Sequence, residues 1–164
     1  MDCLPHDADF CRLLLGGEKP EEVYATGARS NEELAEAMVA DTATVTAKYK
    51  KLGVVVHVCL FRGATYGYDN RIEVFGTKGR FVVETPPELS VRCSDKDSIH
   101  APALMFSFPQ RFAAAFAAEV DLFARGVLAE PGAKWLVDRT ACIAAQKFAM
   151  AAAASKRDGT VKNL

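Results

Sequence analysis

Apolar and polar positions alternate from Thr42 to Lys50: Ala43, Val45, Ala47 and Tyr49 fall on one side, Thr44, Thr46 and Lys48 on the other. A period of two predicts a half-buried strand. The next run, Gly53–Phe61, is β-branched and apolar on both faces, with Val54, Val56, Val58 and Leu60 on one and Val55, His57, Cys59 and Phe61 on the other. Glu22–Thr26 is a shorter strand candidate. Arg71–Phe75 and Arg80–Thr85 flank Gly76-Thr77-Lys78-Gly79, which predicts a glycine-bounded hairpin. Ser90–Cys93 adds an edge strand after Pro86-Pro87.

Helical periodicity governs both ends of the chain. Residues 5–15 predict a short helix, with Pro5 suited to a first helical position and Gly16-Gly17 ending it. Asn31–Val39 is a helix-prone insert opened by Ser30. Phe108, Phe112, Phe116, Val120, Phe123 and Val127 recur at helical steps, one apolar stripe of about five turns. A second helix is expected from 133 to 155, its apolar side marked by Leu136, Ile143 and Met150 at seven-residue spacing, with Trp135, Cys142 and Ala149 beside them. Gly159 stops it.

Strands followed by two long helices predict an α+β domain. Its sheet is expected to be mostly antiparallel, with five or six strands, and covered on one face by helices 108–128 and 133–155. Because Gly53–Phe61 is apolar on both sides, the face left open is expected to be an oligomer interface, giving a homodimer or tetramer. There is no internal repeat and no Pro/Ser linker, so residues 1–164 read as a single domain.

Composition narrows the function classes. Of 164 residues, 20 are basic and 21 acidic, a formal charge of −1. No basic excess points to nucleic acid, and no apolar run is long enough to span a membrane. The N-terminus lacks a basic region followed by an apolar stretch, so no secretory signal is expected. The cysteines (Cys3, Cys11, Cys59, Cys93 and Cys142) are scattered without C-x-x-C spacing and read as reduced thiols of a cytoplasmic protein.

Phosphate-binding motifs are missing: there is no G-x-G-x-x-G after a strand and no Walker loop. Gly76–Gly79 resembles a phosphate loop only in composition, since it joins two strands. The first ten residues are more informative. Asp2 and His6 are four apart, so on a helix they share one face. An aspartate beside a histidine raises the imidazole's proton affinity and orients it, a usable acid–base pair for a hydroxyl or carbonyl. The alternative is that Asp2 and Asp7 merely favour a helix N-terminus and His6 is a surface residue. Asp7 and Asp9 with His6 are too short a stretch to build a metal site, and none is expected.

Asp2-x-x-x-His6-Asp7-x-Asp9 followed by Leu13-Leu14-Leu15-Gly16 resembles the opening of the C-terminal domain of the Gfo/Idh/MocA oxidoreductases, NAD(P)-dependent dehydrogenases of sugars and inositols. The resemblance continues through Glu22-Val23-Tyr24-Ala25, Asp41-Thr42-Ala43 and Tyr66-Gly67-Tyr68-Asp69-Asn70-Arg71-Ile72-Glu73-Val74-Phe75-Gly76-Thr77-Lys78-Gly79, and closes with the two C-terminal helices. The Tyr-Gly-Tyr-Asp-x-Arg run is most like the inositol 2-dehydrogenase branch.

The resemblance implies that His6 is the proton acceptor for the substrate hydroxyl, with Asp2 orienting it or the sugar. Tyr68, Tyr66 and Asp69 would line the pocket for a sugar or polyol; packing against a sheet is the other reading of the two tyrosines. The family's Rossmann domain, with its dinucleotide fingerprint and a catalytic lysine in Glu-Lys-Pro, has no counterpart in this sequence. Glu18-Lys19-Pro20 spells that tripeptide but follows the aspartate–histidine motif and reads as a helix-to-strand turn.

The expectation is therefore the substrate-binding and oligomerisation half of an oxidoreductase. It binds no cofactor by itself, and NAD(P) and a Rossmann-domain partner are implied for the complete enzyme. The alternative is a non-catalytic binding or assembly module derived from the family. An independent hydrolase or isomerase using His6 and Asp2 lacks a nucleophile constellation.

Overall fold

The structure is a computed structural model that describes residues 3–30, 40–129 and 139–164. The helix-prone insert 31–39, the start of the last predicted helix and Asp2 lie outside the described residues. The chain divides into two compact units, Met1–Gly63 with Leu136–Leu164, and Ala64–Trp135.

The first unit opens with α1 (Leu4–Leu14), which has Pro5 in its first turn. Gly16 and Gly17 follow it at φ 67° and 91°, backbone angles that disfavour other residues. Then come β1 (Glu22–Ala28), β2 (Thr42–Tyr49) and β3 (Val54–Phe61). The helical pattern resumes in α4 (Arg139–Asp158), ended by Gly159 at φ 72°, and a two-residue strand β8 (Lys162–Asn163) closes the unit. These strands form one antiparallel sheet in the order β3-β2-β1-β8.

Alternation on β2 works as the pattern predicts. Ala43, Val45, Ala47 and Tyr49 are buried. The half-buried side of β3 (Val54, Val56, Val58 and Leu60) packs against the same core, while Val55, His57, Cys59 and Phe61 are exposed. The helices on the covered face are α1 and α4, which contribute Leu4, Ala8, Ala145, Phe148, Ala149 and Ala152.

The apolar side of α4 differs from expectation. Ile143 and Met150 are exposed, and the buried side runs through Ala141, Ala145, Phe148, Ala149, Ala152 and Ser155. Small side chains at helical spacing let the helix axis approach the sheet closely, and bulky ones at the same positions would hold it off.

The second unit holds β4 (Ile72–Gly76) and β5 (Gly79–Val83), an antiparallel hairpin closed by the Gly76–Gly79 pair. Two short strands, β6 (Cys93–Ser94) and β7 (Ile99–His100), pair separately. The α+β class and the antiparallel pairing stand. Among the described residues, however, the strands form a four-stranded sheet and two two-stranded ones, not one sheet of five or six. The expected single helix over 108–128 is interrupted at Phe112 (φ −113°, ψ 22°), giving α2 (Phe108–Arg111) and α3 (Ala113–Val127). Phe116, Val120, Phe123 and Val127 are exposed on α3.

Candidate active site

His6 stands in the first turn of α1 with its side chain exposed, and its N–H donates to the Cys3 carbonyl at 3.1 Å. Leu4 and Ala8 are buried in the core, so the helix is held by one face while His6 is left on the surface. Asp2 lies outside the described residues. A carboxylate that senses His6 is Asp7. Burial pushes its pKa up from the ordinary 3.8, and the charge of His6 partly opposes that rise.

One turn further along, burial and then the charge of Asp7 push the Cys11 thiol up to about 11. Tyr49 is pushed up to about 12 by burial and by Cys11. All five cysteines are free. At the helix start, the Arg62 guanidinium donates to Cys3 Sγ at 2.9 Å, a contact between residues 59 positions apart.

In the second unit, the loop before β4 brings Tyr66, Tyr68 and Asp69 together. Gly67 makes the loop possible: its φ is 123°, and a Cβ there would lie 2.8 Å from Leu104 Cβ and 3.1 Å from two carbonyl oxygens. With that close approach, the Tyr68 N–H donates to the Met105 carbonyl at 2.8 Å. The Tyr68 ring then packs among aromatic side chains, 6.3 Å from Phe108 and edge-on to Phe112 at 5.8 Å. Tyr68 thus sits in an aromatic cluster with α2 and is not part of a strand.

Tyr66 is exposed, and its hydroxyl donates to Asp69 Oδ2 at 3.4 Å. Asp69 is held on both oxygens: Thr85 Oγ1 donates to Oδ1 at 2.9 Å, and Arg71 pairs with Oδ2 at 3.0 Å. Thr85 also accepts the Asn70 N–H at 2.8 Å. This buried threonine, 16 positions from Asp69, is the positioning residue that local sequence reading missed.

A dinucleotide cradle needs a strand, a glycine-rich turn and a helix whose first amides face the pyrophosphate. Gly76–Gly79 instead closes a hairpin, and β7 reaches α2 through Ala101–Ser107, which contains no glycine. Glu18-Lys19-Pro20 lies in the turn between α1 and β1. The described residues do not fit NAD(P) binding by a cradle of this kind. Among them, no three His, Cys, Asp or Glu side chains gather as a metal site, and no helix is long and apolar enough to cross a membrane.

The first unit is thus an antiparallel sheet under α1 and α4 with an exposed histidine on its first helix, and the second holds an aromatic loop before a hairpin. The family model for the GFO/IDH/MocA C-terminal domain matches residues 1–82. The chain belongs to that family. It is similar to the myo-inositol 2-dehydrogenase of Thermotoga maritima, with 36% identity over 77% of this chain and 38% of that protein.

A probable dehydrogenase from Thermotoga maritima superposes with TM-score 0.89 at 31% identity, covering 99% of this chain and 48% of that one. A myo-inositol dehydrogenase from Corynebacterium glutamicum does so with TM-score 0.87 at 30% identity, over 98% of this chain and 47% of that one. The chain therefore spans less than half the length of these relatives.

Proposed function

We propose that residues 1–164 form one substrate-binding and oligomerisation domain of an NAD(P)-dependent oxidoreductase acting on a hydroxyl of inositol or a related polyol. The observation that carries this reading is the likeness of nearly the whole chain to a myo-inositol dehydrogenase at 30% identity. In this reading His6 accepts the hydroxyl proton and Asp2 orients it. Histidine is the side chain most often used for proton transfer to or from a reacting hydroxyl. Tyr66 and Tyr68 offer ring surface and a hydroxyl to the polyol, and Asp69, pinned by Thr85 and Arg71, holds their loop in place.

NAD(P) supplies the hydride acceptor from a Rossmann domain outside these residues. The open sheet face supports the oligomerisation reading. Val55 and Phe61 are 54% and 52% exposed, and Tyr24 on β1 is also exposed. Large apolar side chains exposed on a sheet face in this way support an interface. The second reading is a binding or assembly module without chemistry.

Calorimetric titration with NADH and an inositol-oxidation assay test the proposal on the chain alone. The expected result is neither useful cofactor affinity nor turnover. Micromolar NADH binding or turnover above background would contradict it.

A further inference from the structure

The end of β1 and the last turns of α4 border an open cavity of about 710 Å³, lined by Gly27, Arg29, Ala153, Lys156 and Arg157 among others. Three of these are cations. Among the described residues, no ion pair or side-chain hydrogen bond engages Arg29, Lys156 or Arg157. Among the described residues, the acids that adjoin the lining in sequence, Asp41 and Asp158, are already engaged. Asp41 accepts from the Ser30 N–H at 2.8 Å, the Ser30 hydroxyl at 2.6 Å and the Thr42 hydroxyl at 3.0 Å. Asp158 is taken by Thr160 and Lys162.

Cations in the last turn of a helix ordinarily complement its dipole, which accounts for Lys156 and Arg157. It does not account for Arg29, which follows a strand, nor for Gly27. A Cβ at Gly27 would stand 3.1 Å from Lys156 Cδ and 2.8 Å from the Thr42 carbonyl oxygen, so the glycine lets the lysine stem lie across β1.

We propose that this cavity binds a phosphoryl-bearing anion, with Arg29 and Arg157 supplying guanidinium donors and Lys156 a point charge. A phosphoryl dianion matches three cations lining one cavity better than a carboxylate, which carries one charge and two oxygens. The phosphoryl group belongs either to free phosphate or to a small phosphorylated metabolite.

The test is calorimetric titration of the 164-residue chain with inorganic phosphate and with glycerol 3-phosphate, against sodium chloride at matched ionic strength. Saturable binding is expected for the phosphoryl ligands and not for chloride. Affinity should fall about tenfold or more in R29Q/R157Q and in K156Q, the loss of charge-assisted contacts. It should hold in K51Q/K96Q, which removes two lysines elsewhere. Tighter binding of glycerol 3-phosphate identifies an organic ligand, and equal affinities identify free phosphate. Equal affinity in all variants with native circular dichroism, or a response no greater than that to chloride, overturns the site.

Discussion

The Ala25 N–H donates to Ser155 Oγ at 2.9 Å, tying the edge of the sheet to the last turn of a helix, 130 positions later in the chain. β8 pairs with β1 only at Glu22 and Val23, so Ala25 lies past the end of that pairing. The serine hydroxyl takes the place of a strand partner there, and Ser155 is fully buried.

Ser155→Ala leaves that N–H unsatisfied in the core. The expected loss is about 1–3 kcal/mol of stability, the cost of an unpaired buried donor. Urea unfolding should show a lower midpoint with an unchanged slope. An unchanged midpoint would mean the edge finds another acceptor.

Asp7 sets a pH dependence. Its pKa is raised by burial, with His6 partly opposing. Above the ordinary 3.8 the unfolded chain therefore gives up this proton more readily than the folded one. Stability falls as pH rises through that value and levels off above the raised one. Asp7→Asn should remove this fall, and His6→Ala should enlarge it. Thermal midpoints at pH 3 and pH 7 check both: Asp7→Asn gains at pH 7 relative to wild type and gains nothing at pH 3.

Thiol chemistry separates the cysteines. Cys11, pushed up to about 11, holds almost no thiolate at pH 8, whereas Cys93 and Cys142 are exposed. A thiol-specific reagent at pH 8 should modify Cys93 and Cys142 first and Cys11 only on unfolding. Rapid labelling of Cys11 in the folded chain would contradict the burial assigned to it.

The open sheet face makes a prediction about assembly. Sedimentation at tens of micromolar should show a dimer or tetramer, and V55K/F61K should shift it to monomer. Cys59, on the same face, should label more slowly as the chain concentration rises. A concentration-independent monomer would exclude self-association through this face.

Much of this architecture was legible because the local signals were strong. Pro5, Gly16, Gly17 and Gly159 bound their helices, and the alternation of Thr42–Tyr49 assigned every side chain of that strand to a face. The helix Arg139–Asp158 was misread for a physical reason. Hydrophobicity singles out Ile143 and Met150, but contact with a sheet selects small volume, and the alanines carry little contrast. The break at Phe112 left no mark in a stripe that continues through it. At the candidate site, His6 is proposed from spacing and from family resemblance. The pin from Thr85 to Asp69 depends on a long-range meeting that local pattern does not encode.

The central claim is that His6 supplies acid–base chemistry to a polyol hydroxyl while the dinucleotide is held elsewhere. The direct measurement places the cofactor-binding part of the Thermotoga maritima myo-inositol 2-dehydrogenase ahead of this chain and follows NADH formation from myo-inositol. The account predicts turnover by the fusion, with His6→Ala lowering kcat about a hundredfold or more and leaving KM within a few-fold. An unchanged kcat in His6→Ala, or NADH formation by the 164-residue chain alone, would contradict it.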